Sequence, residues 1–160
     1  MFSVGCGCAC AGCVLCQGRT LPSTIYVTFT AANCPALTNL GSVPLQATTS
    51  AGFFLGWENL NIPYTCNGHQ LIIQVGLACV NIGNDPTPSW VVSIEIDDSS
   101  QTYGSGSTCI LFSFNNTLAP EDYHCDDDIF VIKTVTMALV DPACDFCCQQ
   151  LGNVTMFFSV

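Results

Sequence analysis

Cysteine is the residue type with the widest chemistry in this 160-residue chain, and it occurs thirteen times. Cysteine side chains form disulfides, bind metal ions or act as nucleophiles. Such a density is typical of a disulfide scaffold in an oxidising compartment. We therefore predict an extracellular or cell-surface protein whose disulfide chemistry involves Cys6, Cys8, Cys10, Cys13, Cys16, Cys34, Cys66, Cys79, Cys109, Cys125, Cys144, Cys147 and Cys148.

The number of cysteines is odd, so at most six bridges can form within one chain of thirteen. One thiol then remains for a partner chain, a free state or another modification. Two interpretations stay open: bridges between neighbouring copies, or a monomer with six internal bridges and one buried thiol. The cysteine clusters at both ends favour the fastening of an arm or the joining of subunits.

Metal binding is the alternative use of these cysteines. The spacing of Cys10, Cys13 and Cys16 matches three ligands of an iron–sulfur run, but no fourth cysteine followed by proline comes next. Residues 121–128 gather five carboxylates that calcium could use, yet their spacing matches no EF-hand. Solvated loop charge is the favoured interpretation, so we predict no metal site and no cofactor.

Catalysis has few candidate groups. His124 precedes Cys125, but adjacent residues of a strand point to opposite faces and do not form a nucleophilic pair. The chain contains no nucleophile elbow, phosphate-binding glycine loop or zinc-binding helix motif. We therefore predict that the protein is not an enzyme.

The charge of the chain excludes one class of partner. Only Arg19 and Lys133 are basic against twelve acidic residues, for a net charge of −10. Nucleic-acid binding depends on neutralising phosphates with basic side chains, so nucleic acid is excluded. No uninterrupted apolar run of about 18 residues is present, so we expect no membrane span. No signal-peptide pattern is found at the N-terminus.

Apolar and polar residues alternate with period two from Leu21 onward. This period is typical of strands with one buried face. It predicts strands near residues 24–30, 43–48, 53–58, 70–77, 90–97, 109–114, 129–140 and 153–160, with the apolar segment 129–140 central or covered on both sides.

We accordingly expect an all-β protein: a disulfide-rich β-sandwich or jelly roll of about eight strands. Residues 1–20 would form a Cys/Gly-rich N-terminal arm or cap, and residues 21–160 a single β-sandwich domain. No segment of convincing length has a helical period.

The chain ends inside a predicted strand, where Val154, Met156, Phe158 and Val160 share one face. A terminal strand can leave its own domain and complete the sheet of a neighbour, which produces head-to-tail polymers. We predict that residues 152–160, or alternatively the arm 1–20, are exchanged between subunits. Deletion of residues 151–160 is then expected to abolish assembly and leave a soluble subunit.

A second interpretation is a secreted carbohydrate- or ligand-binding β-sandwich, such as an adhesin or virion surface protein. Aromatic side chains that could stack on a sugar ring are Trp57, Tyr64, Trp90 and Tyr103. Asn115 and Asn153 begin N-glycosylation patterns, so glycans are possible partners in a secretory pathway that glycosylates.

The order of several motifs resembles the β-sandwich subunits of extracellular fibrils from freshwater microbes, and also cysteine-rich bacterial surface or virion proteins. These motifs are the N-terminal cysteine cluster, the segment 21–29, Cys34, Trp57, Cys66, and Cys109 followed by Phe112 and Phe114. In the fibrils, neighbours are joined by an inserted β-strand. The resemblance implies a structural subunit of an extracellular filament or surface assembly whose partners are copies of itself.

Overall fold

The computed structural model of the chain describes residues 2–3, 20–48, 55–66, 68–80, 89–103, 107–138, 140, 148 and 151–160. In these residues the strands are β1 (Phe2–Ser3), β2 (Thr20–Leu21), β3 (Thr24–Ala31), β4 (Val43–Thr48), β5 (Leu55–Cys66), β6 (His69–Val80), β7 (Ser89–Tyr103), β8 (Ser107–Thr117), β9 (Ile129–Met137) and β10 (Gly152–Ser159). A one-turn helix, α1 (Pro35–Thr38), follows β3, and a 3-10 turn (Pro120–Asp122) precedes β9.

Eight of these strands form one antiparallel sheet in the order β8-β7-β6-β5-β4-β3-β10-β9. The sheet bends until its two end strands, β8 and β9, approach each other, so it is nearly closed. Curvature of this kind lets the inward side chains of all strands share one core. The predicted all-β, disulfide-rich fold with about eight strands is confirmed, with the strands joined as one continuous sheet.

The N-terminal arm is described only at its two ends. β1 pairs antiparallel with β2, so Phe2 lies opposite Leu21 and Ser3 opposite Thr20. Residues 4–19, including the five N-terminal cysteines, lie outside the described residues.

The alternation of side chains appears as alternating burial along the strands. In β3, Ile25, Val27, Phe29 and Ala31 are buried, and the residues between them face outward. Strand β9 differs from its prediction, because it ends the sheet instead of lying in its centre. Part of its outer edge is covered by the segment before it, where Tyr123 forms a bridge with Val131.

β5 is longer than its predicted span of 53–58. The strand also contains Asn59, Asn61 and Pro63, residue types that are typical of a loop. A register shift between Asn59 and Ile62 accommodates them, and the backbone N–H of Asn61 donates to the Asn59 side-chain oxygen at 3.0 Å. This bulge lets β5 continue its pairing with β6.

The centre of the core contains two stacked indoles. The ring centroids of Trp57 and Trp90 lie 5.9 Å apart at 23° between the ring planes. Trp57 Nε1 donates to the backbone oxygen of Pro22 at 3.1 Å, which ties β5 to the start of β3. Because both indoles are almost completely buried, they serve the core and are not available to stack on a sugar.

Phe158→Ala is expected to lower the free energy of unfolding by about 3–5 kcal/mol, because it leaves a cavity where a fully buried ring packed. Urea unfolding of the oxidised protein measures this loss. Val160→Ala, two residues further along at an exposed position, is the matched control and should change stability by less than about 0.5 kcal/mol. Equal effects at both positions would contradict the inward direction of Phe158.

Candidate functional site

The C-terminal strand β10 is the centre of the candidate site. It is hydrogen-bonded on both sides, through residues 154–159 to β3 and residues 152–159 to β9. The side chains of Val154, Met156 and Phe158 have no exposed surface, whereas Val160 is 42% exposed. The residues predicted to form an assembly strand are therefore core residues up to Phe158.

This placement changes the expected result of deleting residues 151–160. The deletion removes a strand from between β3 and β9, along with a complete row of buried side chains. A chain that loses this strand exposes two unpaired edges and part of its core. We therefore expect a destabilised protein from this deletion instead of a soluble subunit.

The connection from β9 to β10 is unusually long for two strands that are antiparallel neighbours. Met137 and Gly152 lie directly opposite each other, yet the fourteen residues 138–151 separate them. A turn of about two residues is enough to join antiparallel neighbours. Connections longer than about 12–15 residues are uncommon and usually functional. The length of this connection marks the entry to β10 as a candidate functional feature.

A disulfide lies at this entry. Cys34 and Cys148 are bonded; their Cα atoms lie 5.5 Å apart, and their sequence separation is 114. Cys34 is fully buried at the N-cap position of α1, just after β3. Its Sγ lies 3.9 Å from the Tyr64 hydroxyl, and burial raises the pKa of Tyr64. The bond therefore joins the entry of β10 to the end of the strand beside it.

Gly152 makes a second close contact at the same place. Its φ is +63°, a conformation that residues with a side chain rarely adopt. A Cβ atom at this position would lie 2.7 Å from Nδ2 of Asn33, the neighbour of Cys34. The preceding Leu151 has no exposed surface. The start of β10 is thus fitted closely against the turn that carries Cys34.

The other described cysteines are also oxidised. Cys66, Cys79, Cys109 and Cys125 are disulfide-bonded. The predicted disulfide cysteines Cys6, Cys8, Cys10, Cys13, Cys16, Cys144 and Cys147 lie outside the described residues. Every cysteine within the described residues is therefore in a disulfide.

The outward face of β3, β10 and β9 carries polar side chains in register. Thr155 lies between Thr30 and Thr134, and the Thr134 and Thr155 hydroxyls are 2.8 Å apart. The Thr136 hydroxyl donates to Oδ1 of Asn153 at 2.6 Å. This uncharged outer face consists of Tyr26, Thr28, Thr30, Ile132, Thr134, Thr136, Asn153, Thr155, Phe157 and Ser159.

The two glycosylation candidates have different surroundings. Asn115 is exposed on β8, which ends the sheet. Asn153 is exposed on the interior strand β10, and its side-chain oxygen is engaged by Thr136. A glycan at Asn153 would have to stand in the middle of the uncharged outer face.

The single lysine of the chain is buried against one member of the acidic segment. Nζ of Lys133 donates to Oδ2 of Asp122 at 2.8 Å, and the same oxygen accepts the backbone N–H of Ala119 at 2.7 Å. Burial, and to a lesser extent the charge of Asp122, raises the pKa of Tyr123. No group of three or more His, Cys, Asp or Glu within the described residues is placed to hold a metal ion.

A histidine–carboxylate pair joins β6 and β7, and it was not predicted from the sequence. Nδ1 of His69 lies 2.7 Å from Oδ2 of Asp98, which has no exposed surface. Such a contact can orient an imidazole for catalysis. Here Cys66, opposite His69, is disulfide-bonded, and the Ser99 hydroxyl donates to the backbone oxygen of Gln70. The sequence signal for this pair is Asp98 itself, a carboxylate at a position of β7 where the alternation predicts a buried apolar residue.

Two acidic side chains, Glu95 and Asp97, lie together on the outward side of β7. Burial, a hydrogen bond to Glu95 and the charge of Glu95 raise the pKa of Asp97 to about 6. Oδ1 of Asp97 is buried and has no hydrogen-bond partner in the described part of the chain. Beside this pair lies a cavity of about 220 Å³ whose polar lining comes from Gln74, Ser93, Glu95, Ser113 and Asn115.

Searches of protein-family models, curated proteins and solved structures find nothing that matches the chain. The described residues contain no helix that is long and apolar enough to cross a membrane.

Asp97→Asn should make the protein more stable at pH 7 by about 1 kcal/mol, a value reduced for solvent screening of a half-buried group. Because the folded pKa is about 6 against an ordinary 3.8, the folded state binds the proton more tightly. Wild-type stability should therefore fall, relative to the variant, as the pH rises from about 4 to 7. Urea unfolding at both pH values measures the difference. Asp128→Asn removes one carboxylate charge at an exposed position and is the control for the change in net charge.

Asp122→Ala should lower the free energy of unfolding by about 3 kcal/mol, because it leaves the Lys133 ammonium buried without its carboxylate. Adding Lys133→Met should recover part of this loss, because the unpaired charge is then removed. Chemical denaturation of both variants gives the coupling between the two positions. Glu121→Ala, at the exposed neighbouring position, is the control, with an expected change below about 0.5 kcal/mol. A double variant with a lower free energy of unfolding than Asp122→Ala alone would contradict this account.

Proposed function

We propose that this chain is a structural subunit of an extracellular filament or surface assembly that polymerises head to tail by β-strand addition. The observation that carries the proposal is the combination of an interior C-terminal strand and a long connection to the strand directly beside it. In that arrangement β10 is held on both sides by specific pairing, and the connection before it is long enough for the strand to reach a neighbouring copy.

The place of β10 has the properties of a strand-accepting groove. Without β10, β3 and β9 would each present an unpaired edge to the space between them. Main-chain hydrogen bonds from both edges supply affinity, and buried pockets for alternate side chains supply register. Every copy of the chain carries the same β10, so a neighbour's strand makes the same contacts.

The charge distribution supports contact between copies at this place. A net charge of −10 makes copies repel one another, which favours a meeting surface without carboxylates. The outer face of β3, β10 and β9 is uncharged, and Lys133 in β9 is buried and paired with Asp122. Contact through this face therefore places no carboxylate of these three strands against another copy.

The disulfides support an extracellular location. Such bonds persist in oxidising environments, where they stabilise proteins against unfolding. If the protein passes through a glycosylating secretory pathway, Asn115 on the exposed outer strand is the better acceptor, since Asn153 is engaged on an interior strand.

The second candidate function is a secreted carbohydrate- or ligand-binding module. The polar cavity beside Glu95 favours it, because several hydrogen-bonding side chains converge there. The burial of Trp57 and Trp90 weighs against it, because neither ring is available to stack on a sugar.

The test is oxidative refolding of the full chain at low and high concentration, followed by light scattering and electron microscopy of unreduced samples. Closure of β10 within its own sheet needs one chain, whereas exchange needs two, so dilution should favour monomers and concentration should favour filaments. Single particles at every concentration would contradict strand exchange and direct the next test to a glycan-binding screen.

A further inference from the structure

The position of Cys148 ties the disulfide Cys34–Cys148 to the strand that follows it. Only residues 149–151 separate Cys148 from the first residue of β10. Cys34 follows β3, the strand with which β10 pairs. The bond therefore connects the chain that supplies β10 with the chain that receives it.

The contacts after Cys148 belong to the same receiving surface. Gly152 lies against the side chain of Asn33, the neighbour of Cys34, which would have to shift to admit a Cβ atom. Leu151 is completely buried. Because only three residues separate Cys148 from β10, Cys148 must accompany β10 into whichever sheet receives the strand.

The segment before Cys148 has a different anchor. The backbone N–H of Val140 donates to the backbone oxygen of Leu111 in β8 at 2.8 Å. Seven residues, 141–147, separate Val140 from Cys148 in the sequence. Eight Cα–Cα steps join residue 140 to residue 148, so this segment can span about 26–29 Å when extended.

We infer that Cys34–Cys148 is the bond that links neighbouring copies covalently, with Cys148 of one chain bonded to Cys34 of the next. The inference rests on the proposed strand exchange. Each subunit then has one such bond on either side, and the filament becomes a continuous covalent chain. The link therefore requires that Cys148, when bonded to the neighbour's Cys34, lies no further from Val140 of its own chain than the span given above.

The chemistry of the link is thiol–disulfide exchange. Two thiols lose two protons and two electrons as the S–S bond forms, and a small-molecule or protein disulfide takes them up and becomes two thiols. Strand exchange must come before this step, because a bond already closed within one chain would hold β10 in its own sheet.

The test uses full-length chain in unlabelled and ¹⁵N-labelled form, mixed equally while reduced and unfolded. The mixture is refolded with a glutathione redox pair at high concentration, and filaments are checked by electron microscopy. Peptic digestion at low pH, without reductant, preserves the bonds, and mass spectrometry then reads the peptide pair joined through Cys34 and Cys148. A link between copies should make about half of these pairs mixed, by random pairing of two equal pools.

The matched control is the same mixture refolded at high dilution, where closure within one chain should leave the pairs unmixed. The variant Cys34→Ser with Cys148→Ser should still form filaments through its main-chain hydrogen bonds, but these should dissociate in detergent without reductant. Polymers of this variant that survive detergent would overturn the assignment of the covalent link to this bond.

The outcomes separate the two proposals. Filaments with mixed Cys34–Cys148 pairs support both. Filaments with unmixed pairs overturn the inference and leave assembly in place, through another contact such as the N-terminal arm. Single particles with unmixed pairs at high concentration overturn both the inference and the proposed function.

Discussion

The pairing of β10 on both sides is the interaction on which the rest of the structure depends. Strands β3 to β8 form a continuous meander, so they pair with neighbours close in sequence. β9 enters the sheet through β10, and β10 enters it through β3. The approach of β9 to β8, and with it the near closure of the core, therefore depends on one eight-residue strand at the end of the chain.

The polar and covalent contacts reinforce the places where that arrangement is weakest. Cys34–Cys148 holds the entry of β10, and the bridge between Tyr123 and Val131 covers part of the outer edge of β9. The Lys133–Asp122 ion pair satisfies a buried ammonium and attaches the acidic segment to β9. An exposed edge invites pairing with other chains. These contacts restrict where such pairing can occur, which is a requirement for an ordered assembly.

Several reactive side chains of the described residues make structural contacts. The cysteines are oxidised, the two tryptophans are stacked in the core, and the histidine–carboxylate pair of His69 and Asp98 joins two strands. The outward side chains of β3, β10 and β9 are uncharged, and the exposed carboxylate Asp128 directly precedes β9.

The sequence by itself determined which side of each strand faces the core, because a strand alternates its side chains with a fixed period of two. Val154, Met156 and Phe158 were assigned to one face from this period, and the structure buries all three. The cysteine content predicted a disulfide-rich protein, and the period-two alternation predicted the all-β fold. The asparagines of β5 concealed a bulge, because alternation breaks wherever an extra residue enters a strand.

Only the tertiary structure decided which strands are neighbours. The pairs Cys34–Cys148, His69–Asp98 and Asp122–Lys133 join residues 114, 29 and 11 positions apart, and none of them follows from local pattern. The apolar segment that begins β9 was expected to be central or covered on both sides, yet β9 ends the sheet and β10 has the interior position. The physical reason is that alternation specifies the face of a strand, whereas its neighbours depend on the closure of the whole core.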